Sequence, residues 1–225
     1  MGAAMRLVDE RVTTVWNDGR DIDLGSPDPE IVCFAEIGNT LSKIARFNGR
    51  NRGVALSVAQ HCVMGAQALI NEGATRMEAS LFLLHDAHEW VLGDLIRPSA
   101  ELFAAACSEL YGETRLLDAI AACKSAWDEA IYFAAGLPGP EAWTKRQAKL
   151  VKDMDARMQR AEAISLFGAA AARKFPNSAT PKLTGAIKPW AAGKAEEQFM
   201  AMANRLIGEE RILDRASLAA LRRAL

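Results

Sequence analysis

Leu83-Leu84-His85-Asp86-Ala87-His88-Glu89-Trp90-Val91-Leu92-Gly93-Asp94 is the stretch that decides the reading of this chain. Ala79, Phe82, Leu83, His85, Asp86, Glu89 and Trp90 recur at helical spacing, which predicts a helix over 76–92. Gly93 stops it and Pro98 lies beyond. Within it, an ionisable group repeatedly stands where the periodicity calls for an apolar one. His85 and Asp86 point about 100° apart on a helix. Glu89 follows His85 by one turn and shares its face. An ionised Asp and Glu among Leu, Phe, Val and Trp are costly unless paired or bound to metal.

The surrounding chain supplies more of the same chemistry. There are 3 histidines in the 225 residues: His61, His85 and His88, all on two successive predicted helices. Val54, Val58, His61, Cys62, Gly65, Ala68 and Leu69 form the stripe of a helix over 54–72, closed by Gly73. Nitrogen donors beside carboxylates suit Mn, Fe, Co, Ni or Zn better than an all-oxygen cage.

Further out, the pattern is almost wholly helical. Asp28 and Pro29 open a helix that runs to Arg46, and Asn48-Gly49 ends it. Helices follow at 99–107, 112–135 and 141–168, then an ordered loop at 173–193 rich in Pro and Gly, then helices at 194–208 and 210–224. Residues 12–24 differ: β-branched residues flank Asp18-Gly19, the signal of a hairpin or extended arm. The fold class is therefore all-α with a small N-terminal β-hairpin. The expected division is an arm over 1–28, a helical core over 29–169, and a C-terminal loop and helices over 170–225 packing on that core.

Composition narrows the function classes. Lys plus Arg is 27 and Asp plus Glu is 28, so no overall basic field exists to attract a nucleic-acid polymer. No apolar run approaches the roughly 18 residues of a membrane span. No targeting segment is visible at the start, and the expected location is cytoplasmic. Cys33, Cys62, Cys107 and Cys123 stand in no CxxC spacing and are expected as buried free thiols.

Taken jointly, five pieces resemble the HD-domain metal-dependent phosphohydrolases, and among them the bacterial 5′-deoxynucleotidases and related phage hydrolases. They are Ile44-Ala45-Arg46-Phe47-Asn48-Gly49, Ser57-Val58-Ala59-Gln60-His61-Cys62, Leu84-His85-Asp86-Ala87-His88-Glu89, Gly93-Asp94-Leu95-Ile96-Arg97-Pro98 and Val151-Lys152-Asp153-Met154-Asp155. The resemblance covers about residues 30–165. It implies an HD-domain-like helical bundle and a divalent metal ion (Mn, Co, Fe, Ni, Zn or Mg) held by His61, His85, Asp86 and Asp155. Asp153 is the rival for the last place. Met154 replaces the family's small Ala, and Phe47 stands where the family often has Trp.

The resemblance further implies that Glu89 orients or deprotonates the attacking water and that Asp94 assists catalysis or grips the substrate sugar. Arg46 and Phe47, at the family's spacing before the first His, would contact phosphate, sugar or base, and Arg97 could reach a phosphate. The implied activity is a 5′-nucleotidase releasing phosphate from (deoxy)nucleoside monophosphates. A deoxynucleoside triphosphate or cyclic nucleotide is the alternative substrate, disfavoured by few basic residues near the motif. A non-catalytic nucleotide-binding helical protein is a third reading. Family members are often dimers, so a homodimer is implied. His88 reads as a helix-surface residue, Trp90 and Trp127 as core, and Arg211, Arg215, Arg222 and Arg223 as a solvated face.

Overall fold

Ser57, Thr75 and Thr144 set the starts of the three helices that matter most here. The Ser57 hydroxyl accepts from the Gln60 amide and opens α2 (Val58–Asn71). Thr75 with Glu78 and Thr144 with Gln147 form reciprocal capping boxes that open α3 (Arg76–Leu83) and α7 (Lys145–Phe167). These caps place both α2 and α7 later than periodicity alone predicts. The computed structural model describes residues 6–16 and 19–224. The remaining helices are α1 (Phe34–Leu41), α4 (Glu89–Leu92), α5 (Arg97–Tyr111), α6 (Leu116–Ala135), α8 (Ala192–Leu206) and α9 (Glu209–Ala224).

The architecture is mostly helical, as expected, with one two-stranded antiparallel hairpin. Its strands, β1 (Thr13–Val15) and β2 (Asp21–Asp23), pair Thr14 with Ile22. Asp18 of the predicted turn lies outside the described residues. Ile22 alone of the strand residues is buried, and Trp127 donates its indole N–H to the Leu24 carbonyl at 3.1 Å. The arm is thereby tied to α6.

Two predicted helices are shorter or broken. The helix expected up to Arg46 is a short 3-10 turn at Pro29–Ile31, then α1, then a second 3-10 turn at Arg46–Gly49. In that second turn Phe47 and Asn48 both take left-handed backbone angles, φ 55° and 53°. Such angles are rarely held without surrounding support. Here the Arg46 amide donates to the Leu56 carbonyl at 2.8 Å and the Val58 amide to the Ile44 carbonyl at 3.0 Å, fixing the chain on both sides.

The helix expected over 76–92 also breaks. After Leu83 the backbone tightens into successive i→i+3 turns through His88, and α4 then follows as a single short turn. A physical reason lies in His85. Its Nδ1 lies 2.7 Å from the Phe82 carbonyl, so the side chain takes an acceptor that a continuing helix would need.

The core is organised around α2, which packs against α3, α7 and α8. Val58, Ala59, Cys62, Ala66 and Ala68 are fully buried there. The helices α8 and α9 and the hairpin residue Ile22 belong to the same apolar cluster, with Phe199, Met202 and Ile212. Residues 178–190 form a strap rather than a loose linker. Gln60 donates to the Lys188 carbonyl at 2.8 Å and accepts from the Trp190 amide at 2.8 Å, and Ser165 donates to the Ile187 carbonyl at 2.7 Å. No helix among the described residues is long and apolar enough to cross a membrane. Cys33 and Cys62 are buried free thiols as expected, whereas Cys107 and Cys123 are half-buried.

One close approach governs the α2–α3 interface. A Cβ on Gly65 would fall 2.1 Å from Phe82 Cε1. Phe82 is fully buried and stacks on the His85 ring at 4.3 Å between centroids. Gly65→Ala should therefore destabilise the protein by roughly 1–3 kcal/mol, the range for overpacking a filled core. Urea unfolding checks this. Adding Phe82→Leu to Gly65→Ala should recover part of the loss, a non-additivity expected only of touching residues.

Candidate metal centre

Four side chains from three parts of the chain converge beside α2. His61 projects from α2. His85 and Asp86 come from the tight turns after α3, and Asp155 from α7. His61 Nε2 lies 3.4 Å from His85 Nε2 and 3.3 Å from Asp155 Oδ1. Asp86 Oδ2 lies 3.3 Å from His85 Nε2 and 3.9 Å from His61 Nε2, and Asp155 Oδ1 lies 3.8 Å from His85 Nε2. Ligands around one ion at about 2.1 Å stand roughly 3.0–3.4 Å apart in octahedral or tetrahedral arrangement. The donor atoms are thus spaced close to what a single divalent ion requires.

The imidazoles are oriented for this. His61 Nδ1 lies 2.6 Å from Glu162 Oε1, and His85 Nδ1 meets the Phe82 carbonyl. Both contacts favour a proton on Nδ1, leaving the Nε2 lone pair for a metal. Asp155 takes the fourth place and Asp153 does not. Asp153 is exposed and pairs with Lys149 on the outer side of α7.

Arg46 is buried at the edge of the cluster, 8% exposed. Its guanidinium lies 3.3 Å from Glu162 Oε2, 3.5 Å from Asp86 Oδ2 and 3.8 Å from Asp155 Oδ1. Burial opposes its charge, but Glu162, Asp86 and Asp155 more than restore it. Phe47 packs edge-on against Phe167 at 5.5 Å and Phe175 at 6.5 Å, beside the Arg46 guanidinium.

The electrostatics divide the site in two. Burial works against the charged form of His61 and His85. Even so, the carboxylates hold both protons: Glu162 and Asp155 raise His61, and Asp86 and Asp155 raise His85 well above the usual histidine range. Burial opposes ionisation of Asp86, Asp155 and Glu162, and the surrounding cations still lower all three. Glu89 behaves oppositely: burial, with Asp86 and Asp94 beside it, pushes its carboxyl up to about 9. Asp94, just past Gly93, is half-buried and also raised, mainly by burial. Burial pushes the Cys62 thiol up to about 11, which keeps it a thiol beside His85.

Three placements differ from expectation. Arg97 is exposed at the start of α5 and pairs with Glu101 at 3.5 Å, so it is not drawn into the cluster. His88 is not on the surface: it is 5% exposed, with Nδ1 2.9 Å from Asp128 Oδ1 of α6. Glu162 and Asp128 were missed. Glu162 sits two turns beyond Asp155 on α7, in register with the buried Val151, Met154 and Met158, and that spacing was its one signal. Asp128 stands next to the buried Trp127 and carried none.

No family model matches the chain. It is 34% identical over 169 residues to an uncharacterized protein of Rhodobacter capsulatus, spanning 73% of this chain and 79% of that one. The chain belongs to that protein's family. The helical fold, with a His/Asp/Glu cluster able to hold a metal ion, is compatible with an HD-type fold.

Two outcomes follow from the geometry. Glu162→Gln should weaken Mn binding by about 10–100-fold, the usual effect of losing the acceptor behind a ligating histidine; calorimetric titration measures it. The second concerns pH. Folded Glu89 keeps its proton up to about 9, whereas the ordinary value is 4.5. The folded state therefore binds more protons in that window, and its stability falls as pH rises, by at most about 1.4 kcal/mol per pH unit from this group. Urea midpoints in EDTA should show Glu89→Gln gaining on wild type across the same interval.

Proposed function

We propose that this protein is an HD-type metal-dependent phosphohydrolase, and within that class a 5′-nucleotidase acting on (deoxy)nucleoside monophosphates. The single observation that carries the reading is the meeting of His61, His85, Asp86 and Asp155 donor atoms within 3.3–3.9 Å, from helices far apart in sequence. A divalent ion there would supply Lewis acidity toward a phosphoryl oxygen and make a neighbouring water more acidic.

The chain's own groups would do the rest. Glu89 is buried, and its Oε2 has no partner among the described residues. A carboxyl so placed is suited to exchange a proton with an attacking water. Asp94, at the mouth of the Gly93 turn, would accept from a sugar hydroxyl. An analogue lacking that hydroxyl would leave a half-buried acceptor unpaired, which is a source of discrimination. Arg46 would stabilise the charge of the transferring phosphoryl group through a fork-shaped donor set, at the cost of loosening its contacts to Asp86 and Asp155. Phe47 would offer an apolar face to base or sugar.

The test is phosphate release from a panel of ribo- and deoxynucleoside monophosphates with Mn, Co, Mg or EDTA. Asp86→Ala should lose metal and activity together. Glu89→Gln should keep the ion at His61 and His85 and lose roughly 10²–10⁴-fold in turnover. Silence with metal bound would redirect the reading to triphosphates or cyclic nucleotides. Silence without metal would sink it in favour of a binding protein.

A further inference from the structure

His88 is the third histidine of the chain, and the cluster around His61 does not use it. It is 5% exposed, with Nδ1 facing Asp128 Oδ1 at 2.9 Å. Asp128 is itself largely buried, so this is an interior contact rather than a surface pair. A carboxylate at Nδ1 favours the tautomer whose Nε2 carries the lone pair. That Nε2 is buried and has no hydrogen-bond partner among the described residues.

The same device therefore appears three times. His61 is fixed through Nδ1 by Glu162, His85 by the Phe82 carbonyl and His88 by Asp128. In the first two, Nε2 faces the metal cluster. In the third it faces a second group of ligand atoms. Asp86, His88 and Glu89 each offer one donor atom, and these lie within 4.8 Å of one another. Glu89 is 4% exposed, and its Oε2 is likewise buried and unpartnered. Asp86 can serve both groups, because a carboxylate has two oxygens and Oδ2 is the one turned to His61 and His85. Two neighbouring buried polar atoms without partners are unusual in a folded protein and call for an occupant.

We propose that the chain holds a second divalent cation, ligated by His88 Nε2, Glu89 and Asp86, with Asp86 shared between the two seats. The inference rests on the reading of the His61–His85–Asp86–Asp155 cluster as the first seat. The tight turns after Leu83 put Asp86, His88 and Glu89 on one side, which a straight helix would not do for Asp86 and His88, two residues apart. A pair of cations sharing a carboxylate suits phosphoryl transfer, since one can act on the attacking oxygen and the other on the leaving oxygen. With the second seat filled, Glu89 is a ligand rather than a proton carrier. Loss of turnover in Glu89→Gln would then come with loss of one cation.

The experiment is metal stoichiometry, read independently of activity. Wild-type protein, His88→Gln and Asp128→Ala are equilibrated with Mn, freed of unbound ion by gel filtration, and assayed by elemental analysis and electron paramagnetic resonance. Support is two Mn per chain in wild type with an exchange-coupled spectrum, and one uncoupled Mn in His88→Gln. Asp128→Ala should bind the second ion roughly 10–100-fold more weakly, through loss of the Nδ1 acceptor, and the first unchanged. One uncoupled Mn per wild-type chain overturns the second seat, assigns the space to water, and leaves the proposed function standing. Two Mn in both wild type and His88→Gln overturns the ligand assignment. No Mn in wild type overturns both readings. If His88→Gln fails to fold, the wild-type count and spectrum decide the question alone.

Discussion

Arg46 is the charge on which the interior of this protein depends. A guanidinium and the carboxylates of Glu162, Asp86 and Asp155 are held together largely out of water. Removing one partner from such a set leaves an uncompensated buried charge, which typically costs 3–5 kcal/mol. The fold is built to hold the group in place. The backbone at Phe47 and Asn48 is turned left-handed to aim Arg46 inward, and Glu162 is fully buried on α7. His61, also fully buried, takes the other oxygen of the same Glu162 carboxylate. One acidic side chain thus orients both a metal-ligand candidate and the cation that balances the ligands.

This arrangement explains why the cluster can exist without a bound ion. Protonated His61 and His85, with Arg46, supply positive charge against Asp86, Asp155 and Glu162. A divalent ion entering there displaces protons from the histidines, so metal affinity weakens as pH falls. The cluster is thus an ion-exchange site, in which protons and the guanidinium hold the place that a metal would take.

Much of the fold was legible because its signals are local. Ser57, Thr75 and Thr144 are ordinary caps, and the Ala-rich stretches keep a 3.6-residue period. The metal-ligand set was legible because histidine is scarce in this chain and all three copies are close in sequence. The break after Leu83 was not legible, since Leu84, His85, Asp86 and Ala87 fit a helical period well. Only the contact of His85 with the Phe82 carbonyl diverts the backbone, and it requires the folded neighbours that hold that ring. Glu162 and Asp128 were illegible for a different reason. Each looks like a solvated charge on its own helix and becomes buried through what packs against it. Arg97 failed in the opposite sense: it follows Asp94 closely in sequence, yet Pro98 opens α5 and carries it outward.

Gln60 precedes His61 on α2, and both ends of its amide are taken by the strap at Lys188 and Trp190. Asp155 and Glu162 likewise come late in the chain, on α7. The order of synthesis then bears on metal capture. A ribosome releases His61, His85 and Asp86 well before the residues that complete and enclose their cluster. Until α7 and the strap arrive, those three are an open and incompletely liganded set. The centre is finished only when most of the chain has been made, and the choice among cellular metals falls to the closed form.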